Sequence, residues 1–156
     1  MVLDAELGEA TTSERCAFCA IARGEAPAEI VLDDVAGVAF LDRRPLFPGH
    51  VLVVPRRHVE TLPHLAPEEI GPFFALVQRL TRGVPEATGA DGTFVAINNV
   101  VSQSVPHVHV HIVPRRQGDG LFSRNLAWTR HPYRDETEMR AVAAAIRAAL
   151  APDGIG

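Results

Sequence analysis

Three histidines alternate with valine in the segment His107-Val108-His109-Val110-His111. An imidazole can attack phosphorus as a nucleophile, transfer a proton near neutral pH or bind a transition metal. On a β-strand the three imidazoles would share one face at a spacing of about 6.6 Å, with the valines on the other face. The weakest interpretation is that the three histidines occupy an exposed strand face without a function, because histidine has no special strand propensity. Spacing alone leaves nucleophilic catalysis and metal binding open.

Polar residues precede this histidine segment. Gln103 and Ser104 lie just upstream of it, and Asn98 and Asn99 follow the preceding predicted strand. Their amide and hydroxyl groups can donate hydrogen bonds to phosphate oxygens. This neighbourhood favours phosphate chemistry over a metal site built from all three histidines.

Cys16 and Cys19 are the only cysteines of the chain and are separated by two residues. Two cysteines do not make a disulfide framework, so a metal or redox pair is the more informative hypothesis. A closed zinc site needs four ligands, and two must then come from elsewhere. Two thiols without a metal remain equally open at this point.

The composition bounds the class of protein. A chain of 156 residues with 47% hydrophobic residues is long enough for one domain with one core. All 15 basic residues are arginine, which excludes a lysine Schiff base and a Walker-type phosphate loop. The net charge of -4 argues against nucleic acid as a partner. No apolar run reaches about 18 residues and no signal peptide is evident, so we expect no membrane association and a cytoplasmic protein.

Hydrophobic periodicity predicts the elements that position these residues. A short helical turn is expected around residues 18–23, a long helix starts at Pro67, and a terminal helix follows Asp135 and ends near Leu150. About five strands are predicted, at residues 30–32, 35–41, 51–54, 93–97 and 105–113. The pattern indicates an α+β fold with an antiparallel sheet. We expect a flexible tail at residues 1–14, a single domain at 15–151 and a flexible end at 152–156.

The order of these motifs resembles the histidine triad (HIT) family of nucleotide hydrolases and transferases. The signature of that family is histidine alternating with hydrophobic residues and ending in two hydrophobics, as in residues 107–113. Other matching motifs are CAFCAI at 16–21, RGE at 23–25, AFLD at 39–42, PGH at 48–50, VVPRRH at 53–58 and QSV at 103–105. The resemblance therefore covers most of the chain from Cys16 and implies a HIT-like fold.

The resemblance also implies a reaction and its residues. In the family the middle histidine, here His109, attacks the α-phosphorus and forms a nucleotidyl-histidine intermediate that water resolves. His111 and Ser104 would contact the phosphate, with Gln103 nearby, and His50 would orient or protonate a group near the site. Either Asn98 or Asn99 would reach the phosphate, and strand register favours Asn98.

The nucleotide and a metal are assigned by the same resemblance. Asp42 would accept hydrogen bonds from the ribose, and the base, expected to be a purine, would enter an apolar slot formed by Phe18, Ile21 and Phe40. Simple core packing remains the alternative for those three side chains. Some bacterial members hold a structural zinc, and the corresponding ligands here are Cys16, Cys19, His58 and His107. The resemblance further implies a homodimer.

Two departures from the family pattern concern the leaving group. Ser102 stands where a glycine commonly precedes the glutamine, and the loop at residues 98–103 is about two residues shorter than in many relatives. Substrates among dinucleoside polyphosphates, phosphoramidates and other adenylyl conjugates therefore stay open. A nucleotide-binding regulator without catalysis is one alternative. A metalloenzyme that uses all three motif histidines as ligands is the other.

Overall fold

The structure, a computed structural model, describes residues 11–124 and 128–152. Five strands and four α-helices are found in this part of the chain. The helices are α1 (Thr12–Arg15), α2 (Ala17–Ala22), α3 (Pro67–Thr88) and α4 (Glu136–Leu150). The strands are β1 (Ile30–Asp33), β2 (Gly37–Leu41), β3 (Val51–Pro55), β4 (Gly92–Ile97) and β5 (Val110–Arg115), and a 3-10 turn spans Leu62–His64.

The strands form one antiparallel sheet in the order β1-β2-β3-β5-β4. This arrangement confirms the α+β fold with an antiparallel sheet and a long helix that the sequence predicts. Its register aligns Phe40 with Leu52, Leu52 with His111, and His111 with Ala96. Directly paired residues share a face, so these four side chains form a row across the middle of the sheet.

The two faces of the sheet are covered differently. On one face Leu41, Val53, Val110 and Ile112 belong to the main core, which α3 and α4 complete. Phe40 and Leu52 lie on the other face and pack with Phe18 and both cysteines of the α2 region. The main core thus holds the sheet rigid, since each fully buried aliphatic side chain contributes about 1.5–3 kcal/mol. The opposite face carries the histidines.

The start of α4 and the end of α3 carry recognisable capping signals. Asp135 accepts a hydrogen bond from the Glu138 backbone N–H at 2.8 Å and caps α4, as the sequence predicts. Apolar residues at helical spacing in α3 reach Leu80, but the helix continues to Thr88 and stops at Gly89, whose φ of 67° is left-handed. Pro72 does not interrupt α3.

The strand predicted at residues 105–113 is misplaced, because β5 spans Val110–Arg115. Its neighbour β4 ends at Ile97, which pairs with Val110, so residues before Val110 have no β4 partner. The backbone there contacts another segment, with the Val108 N–H donating to the Val59 carbonyl at 2.7 Å. Val108, Val110 and Ile112 are nevertheless fully buried in the main core, as the alternation predicts.

The two predicted flexible ends of the chain lie partly outside the residues that the structure describes. Residues 1–10 of the predicted tail and 153–156 of the predicted flexible end are outside the described residues. Residues 12–15 form α1, which Thr11 and Glu14 cap reciprocally. Among the helices of the described residues, none is long and apolar enough to cross a membrane.

Candidate functional site

Four side chains of types that bind metal ions lie close together where α2, the end of β3 and the segment before β5 converge. The Sγ atoms of Cys16 and Cys19 each lie 3.4 Å from Nδ1 of His107, and Cys19 Sγ lies 3.3 Å from Nδ1 of His58. All four ligand atoms are within 4.8 Å of one another. The structure therefore brings together the four residues that the resemblance assigns to zinc.

Hydrogen bonding directs His107 toward the thiols. Its Nε2–H donates to the Pro55 carbonyl at 2.9 Å, which leaves the lone pair on Nδ1. Burial lowers the pKa of His107 to about 4, so the ring is neutral, as metal ligation requires. A backbone carbonyl that fixes the second ring nitrogen in this way is typical of metal-bound histidine.

The donor set fits a tetrahedral metal. Zinc bonds of about 2.3 Å to sulfur and about 2.0 Å to nitrogen place such donors about 3.5 Å apart, close to the separations observed. Burial raises the pKa of the Cys19 thiol, which disfavours a thiolate unless a cation is nearby. Two soft and two borderline donors, buried or half-buried, thus fit a closed structural zinc site.

His109 is held in a defined tautomer. Its side chain is only 2% exposed, and Nδ1 lies 2.8 Å from the His107 carbonyl oxygen. A carbonyl can only accept, so Nδ1 carries the proton and Nε2 carries the lone pair. The ring of Phe18 packs edge-on at 5.1 Å and restricts the imidazole further. His109 therefore has its lone pair on Nε2, the form in which an imidazole can act as a nucleophile.

His50 and His111 are joined by a hydrogen bond, and both carry their proton on Nε2, the opposite tautomer to that of His109. The Leu46 backbone N–H donates to His50 Nδ1 at 3.1 Å, so His50 Nε2 carries a proton and donates to His111 Nδ1 at 3.0 Å. The remaining proton of His111 then lies on Nε2, which is buried without a hydrogen-bond partner among the described residues. Burial lowers the pKa of both rings to about 4, so they are neutral at pH 7. His111 therefore presents a donor beside His109.

A cavity of about 390 Å³ opens beside these two histidines. Of the predicted catalytic residues, His50, Ser104, His109 and His111 line it, and so does Asn98. The remaining lining residues are Leu46, Phe94, Ala96, Ser102, Val113, Trp128 and Arg130. Two histidines of opposite tautomer, a serine and an asparagine thus line one space, and residues of these types together can bind and attack a phosphate.

Gln103 and Asn99 hold the loop in place. The Gln103 amide accepts from the Val100 backbone N–H at 2.9 Å and donates to the Glu60 carbonyl at 2.5 Å. Asn99 accepts from the Leu62 backbone N–H at 2.8 Å. Gln103 is not part of the cavity lining, so its predicted proximity to phosphate stays a prediction that this geometry does not support. Between the two asparagines, the geometry favours Asn98 as the phosphate contact.

The same loop explains why a glycine suits position 102. Ser102 has φ 60° and Val100 has φ 67°, both in the left-handed region that side chains with a Cβ rarely adopt. A glycine at either position would relieve this strain. Val100 is the more strained of the two because it is β-branched, and its side chain is 76% exposed.

Replacing Val100 by glycine should therefore stabilise the protein. We expect the free energy of unfolding to rise by about 1 kcal/mol, which raises Tm by about 3 °C. Val101 is the matched control, because it is 78% exposed but does not have a positive φ. Val101→Gly should lower stability by about 0.5–1 kcal/mol. Thermal unfolding of both variants checks this, and a lower Tm for Val100→Gly would contradict it.

The predicted base slot is a packed apolar cluster. Phe18 and Phe40 are buried, their ring centroids lie 5.4 Å apart, and Ile21 packs partly buried against the same cluster. Asp42 follows β2 directly, and one carboxylate oxygen accepts from the Arg44 backbone N–H at 2.8 Å. The other lies 3.7 Å from His50 Nδ1 and 3.9 Å from Arg130. Phe18, Ile21, Phe40 and Asp42 do not line the cavity beside His109, so the base slot stays a prediction and the three apolar side chains are observed here as core packing.

Three residues that line the cavity are not predicted by the sequence patterns, namely Phe94, Trp128 and Arg130. Trp128 and Arg130 lie between β5 and α4, where no periodicity or motif marks them. Phe94 is in β4 and was interpreted only as a strand residue. A signal was available for Phe94, since residue pairing puts it opposite Val113, on the face that also carries His111.

Comparison with known proteins identifies the family of this chain. The sequence model of the HIT domain family matches residues 23–118. Because this match covers more than half of the chain, the chain belongs to the histidine triad (HIT) family. An uncharacterised HIT-like protein of Mycobacterium tuberculosis is 41% identical over 125 residues, which cover 78% of this chain and 87% of that protein. The adenylylsulfatase of Arabidopsis thaliana is 30% identical, with 92% of this chain and 74% of the relative covered.

Further relatives extend the comparison to another activity and to a metal. An adenosine 5'-monophosphoramidase of Schizosaccharomyces pombe is 30% identical over 81% of this chain and 92% of its own length. A zinc-bound histidine triad protein from Mycobacterium smegmatis has a solved structure with a TM-score of 0.74 and 38% identity. That match covers 88% of this chain and 94% of the other. The family relationship and the named enzymes together support a nucleotide hydrolase or transferase in general.

Proposed function

We propose that this protein binds a purine nucleotide and hydrolyses adenylyl conjugates or dinucleoside polyphosphates at the α-phosphorus, with His109 as the nucleophile. The proposal depends on one observation: His109 and His111 line the same cavity and have opposite tautomers. Nε2 of His109 offers a lone pair, and Nε2–H of His111 offers a proton donor without a protein partner among the described residues. A phosphate group needs both, one at phosphorus and one at an oxygen.

In the first step the lone pair of His109 Nε2 forms a bond to the α-phosphorus. The bond from phosphorus to the leaving group breaks, and its electron pair departs with the leaving group. A polyphosphate leaves as its anion, whereas the nitrogen of a phosphoramidate takes up a proton from solvent and leaves as ammonia. The imidazole is then substituted at Nε2 and protonated at Nδ1, so it is cationic. The His107 carbonyl, 2.8 Å from Nδ1, stabilises that charge without moving.

In the second step water attacks the phosphorus and the bond from phosphorus to Nε2 breaks. The electron pair returns to Nε2, and the proton lost by water leaves with the nucleotide monophosphate or passes to solvent. Throughout, Nε2–H of His111, the Ser104 hydroxyl and the Asn98 amide donate to the phosphate oxygens, which carry the negative charge. His50 keeps His111 in the donor tautomer.

Zinc is part of this proposal as a structural element. Cys16, Cys19, His58 and His107 would hold it, and the zinc-bound relative supports this assignment. When bound, the ion supplies a cross-link between α2, the end of β3 and the segment before β5, and no Lewis-acid chemistry at the phosphate. The other protein side chains do the chemistry described above.

The geometry disfavours a metalloenzyme with three histidine ligands. The potential metal groups among the described residues are the cysteine-containing cluster and the set Asp42, His50 and His111, and neither contains His109. Both ring nitrogens of His50 have hydrogen-bond partners. The hydrogen bonds from Leu46 to His50 and from His50 to His111 therefore explain why the histidines of the second set lie together without a metal ion.

Hydrolysis in ¹⁸O-labelled water tests the proposed reaction. Diadenosine tetraphosphate should give AMP and ATP, with the label in the new phosphate oxygen of AMP, and adenosine 5'-phosphoramidate should give labelled AMP. Two molecules of ADP, or label only in the leaving group, would contradict attack at the α-phosphorus. AMP binding without turnover of any conjugate would identify a nucleotide-binding regulator instead.

A homodimer is proposed through the sheet edge. Strand β4 is the last strand of the sheet, and its Val95 remains 41% exposed. An uncovered edge with an apolar side chain is a ready pairing surface. The cytoplasmic location and the absence of nucleic-acid partners stay predictions from the sequence.

Sedimentation at micromolar concentration should give twice the mass of one chain. Val95→Lys should shift the equilibrium toward the monomer, because a charge at a paired edge opposes association. Val35→Lys is the matched control, since Val35 is 90% exposed on the turn between β1 and β2. A wild-type protein that sediments only as a monomer would contradict the dimer.

A further inference from the structure

The tautomer of His50 decides what His111 offers to a phosphate. With its proton on Nε2, His50 donates to His111 Nδ1 at 3.0 Å, and His111 keeps its own proton on Nε2. With its proton on Nδ1, His50 would instead accept at Nε2, and the proton of His111 would lie on Nδ1, between the two rings. His111 Nε2 would then carry a lone pair, which repels a phosphate oxygen. The position of one proton on His50 therefore decides whether His111 can donate.

Two groups compete for Nδ1 of His50. The Leu46 backbone N–H donates to this nitrogen at 3.1 Å, which requires a lone pair there and selects the donor tautomer. A carboxylate oxygen of Asp42 lies 3.7 Å from the same nitrogen and would favour a proton on it. Burial lowers the pKa of both His50 and His111 to about 4, so each neutral ring has one proton to place. The donor tautomer therefore depends on how firmly the Leu46 N–H is held against His50.

His131 holds the peptide group that carries this N–H. Its backbone N–H lies 3.2 Å from the carbonyl oxygen of Pro45, which is in the same peptide group as the Leu46 N–H, and 3.1 Å from the Leu46 carbonyl oxygen. Nδ1 of His131 lies 2.8 Å from the Leu46 carbonyl oxygen, and because a carbonyl only accepts, Nδ1 carries the proton and donates. The His131 ring also stacks on Phe47 at 4.8 Å. One histidine thus fixes the peptide groups on both sides of Leu46.

A different contact holds the other end of this turn. The Gly49 backbone N–H donates to Tyr133 Oη at 3.0 Å, and Gly49 adopts a φ of 99°, which lets the backbone turn directly before His50. This contact locates the turn but does not involve the peptide group whose N–H faces the His50 ring. His131 is exposed to solvent and does not line the cavity. Any effect of its side chain on the reaction must therefore pass through the turn.

We propose that His131 is a positioning residue that keeps His50 and His111 in the donor tautomer. It does so by holding the peptide group between Pro45 and Leu46. The hydrogen bonds then run in one direction, from His131 through that peptide group and His50 to the Nε2–H of His111. Each bond in such a series polarises the next, so the donor at its end is strengthened. This inference rests on the proposed attack at the α-phosphorus and adds to it a residue outside the cavity.

Two substitutions separate the hydrogen-bond donor of His131 from its ring. His131→Asn keeps an N–H donor and loses the ring, whereas His131→Phe keeps a ring on Phe47 and loses the donor. With adenosine 5'-phosphoramidate, kcat should fall about tenfold in His131→Phe with less change in KM, and should stay within about twofold of wild type in His131→Asn. His64→Phe is the matched control, since His64 is exposed, contacts the Thr61 hydroxyl and does not line the cavity. It should leave kcat unchanged.

NMR of the ring nitrogens reads the tautomers without any reaction. In wild-type protein with ¹⁵N-labelled histidine, His50 and His111 should each show a protonated Nε2 and an unprotonated Nδ1. In His131→Phe the Nδ1 signals of both rings should move toward the protonated position, whereas His131→Asn and His64→Phe should keep the wild-type signals. Unchanged ring signals in His131→Phe, or equal losses of kcat in the two His131 variants, would overturn the positioning role. If wild-type protein hydrolyses no conjugate, the proposed reaction fails, and the ring signals still decide the inference.

Discussion

Replacing His109 by alanine should lower turnover of an adenylyl phosphoramidate by roughly 10³-fold or more, while AMP still binds within about tenfold of wild type. In the proposed reaction the side chain supplies the lone pair that forms the bond to phosphorus, and this interaction exists only in the transition state and the intermediate. The nucleotide contacts proposed for Asp42, Ser104 and the apolar cluster would remain in this variant. Binding and catalysis should therefore separate.

The matched control is His64→Ala. His64 is exposed, its Nδ1 lies 2.7 Å from the Thr61 hydroxyl, and it does not line the cavity. This variant should keep wild-type turnover and binding. His109 is buried, so circular dichroism and AMP affinity must show that the alanine variant is folded. Retention of more than about a tenth of wild-type turnover in that folded variant would contradict the assignment.

Replacing Cys19 by serine should abolish the proposed zinc binding and impair stability and turnover together. Wild-type protein prepared with a reductant and without a chelator should contain zinc near one per chain. The loss of a thiolate ligand opens a site that joins three separate segments, so we expect Tm to fall by about 10 °C or more. Elemental analysis and thermal unfolding measure the two effects.

The effect on turnover follows from one hydrogen bond. His107 places its side chain toward the thiols and its carbonyl 2.8 Å from His109 Nδ1. When His107 is no longer held, that carbonyl no longer fixes the tautomer of the nucleophile, so kcat should fall more than KM rises. Ser13→Ala is the control, because the Ser13 hydroxyl lies 3.5 Å from Cys19 Sγ. The Ser13→Ala variant should retain zinc. Wild-type protein that contains no zinc would contradict the metal assignment.

The sheet and its faces were largely predictable from the sequence. Alternation correctly assigns Val108, Val110 and Ile112 to the core, because burial of every second residue is the physical basis of the pattern. Position 102 was also recognised as unusual, and its left-handed φ gives the reason. The start of β5 was not predictable from residue types, because it depends on where β4 ends and pairing stops.

The detailed roles of site residues depend on contacts between distant segments. Nothing in the sequence near Gln103 reveals that its amide bonds Glu60, and nothing near His50 reveals that it sets the tautomer of His111. Trp128 and Arg130 belong to an aperiodic connection, and hydrogen bonds to residues 44–46 bring them to the cavity. Such placements follow from tertiary structure alone.

The covalent role of His109 is tested most directly by rapid-quench mass spectrometry of a single turnover. Enzyme in excess over diadenosine tetraphosphate should carry one adenylyl group on the peptide that contains His109, and the adduct should disappear as labelled AMP forms. The His64→Ala protein should show the same adduct and the His109→Ala protein none. Hydrolysis at the wild-type rate with no adduct at any time, or with an adduct on His111 or His50, would contradict the account.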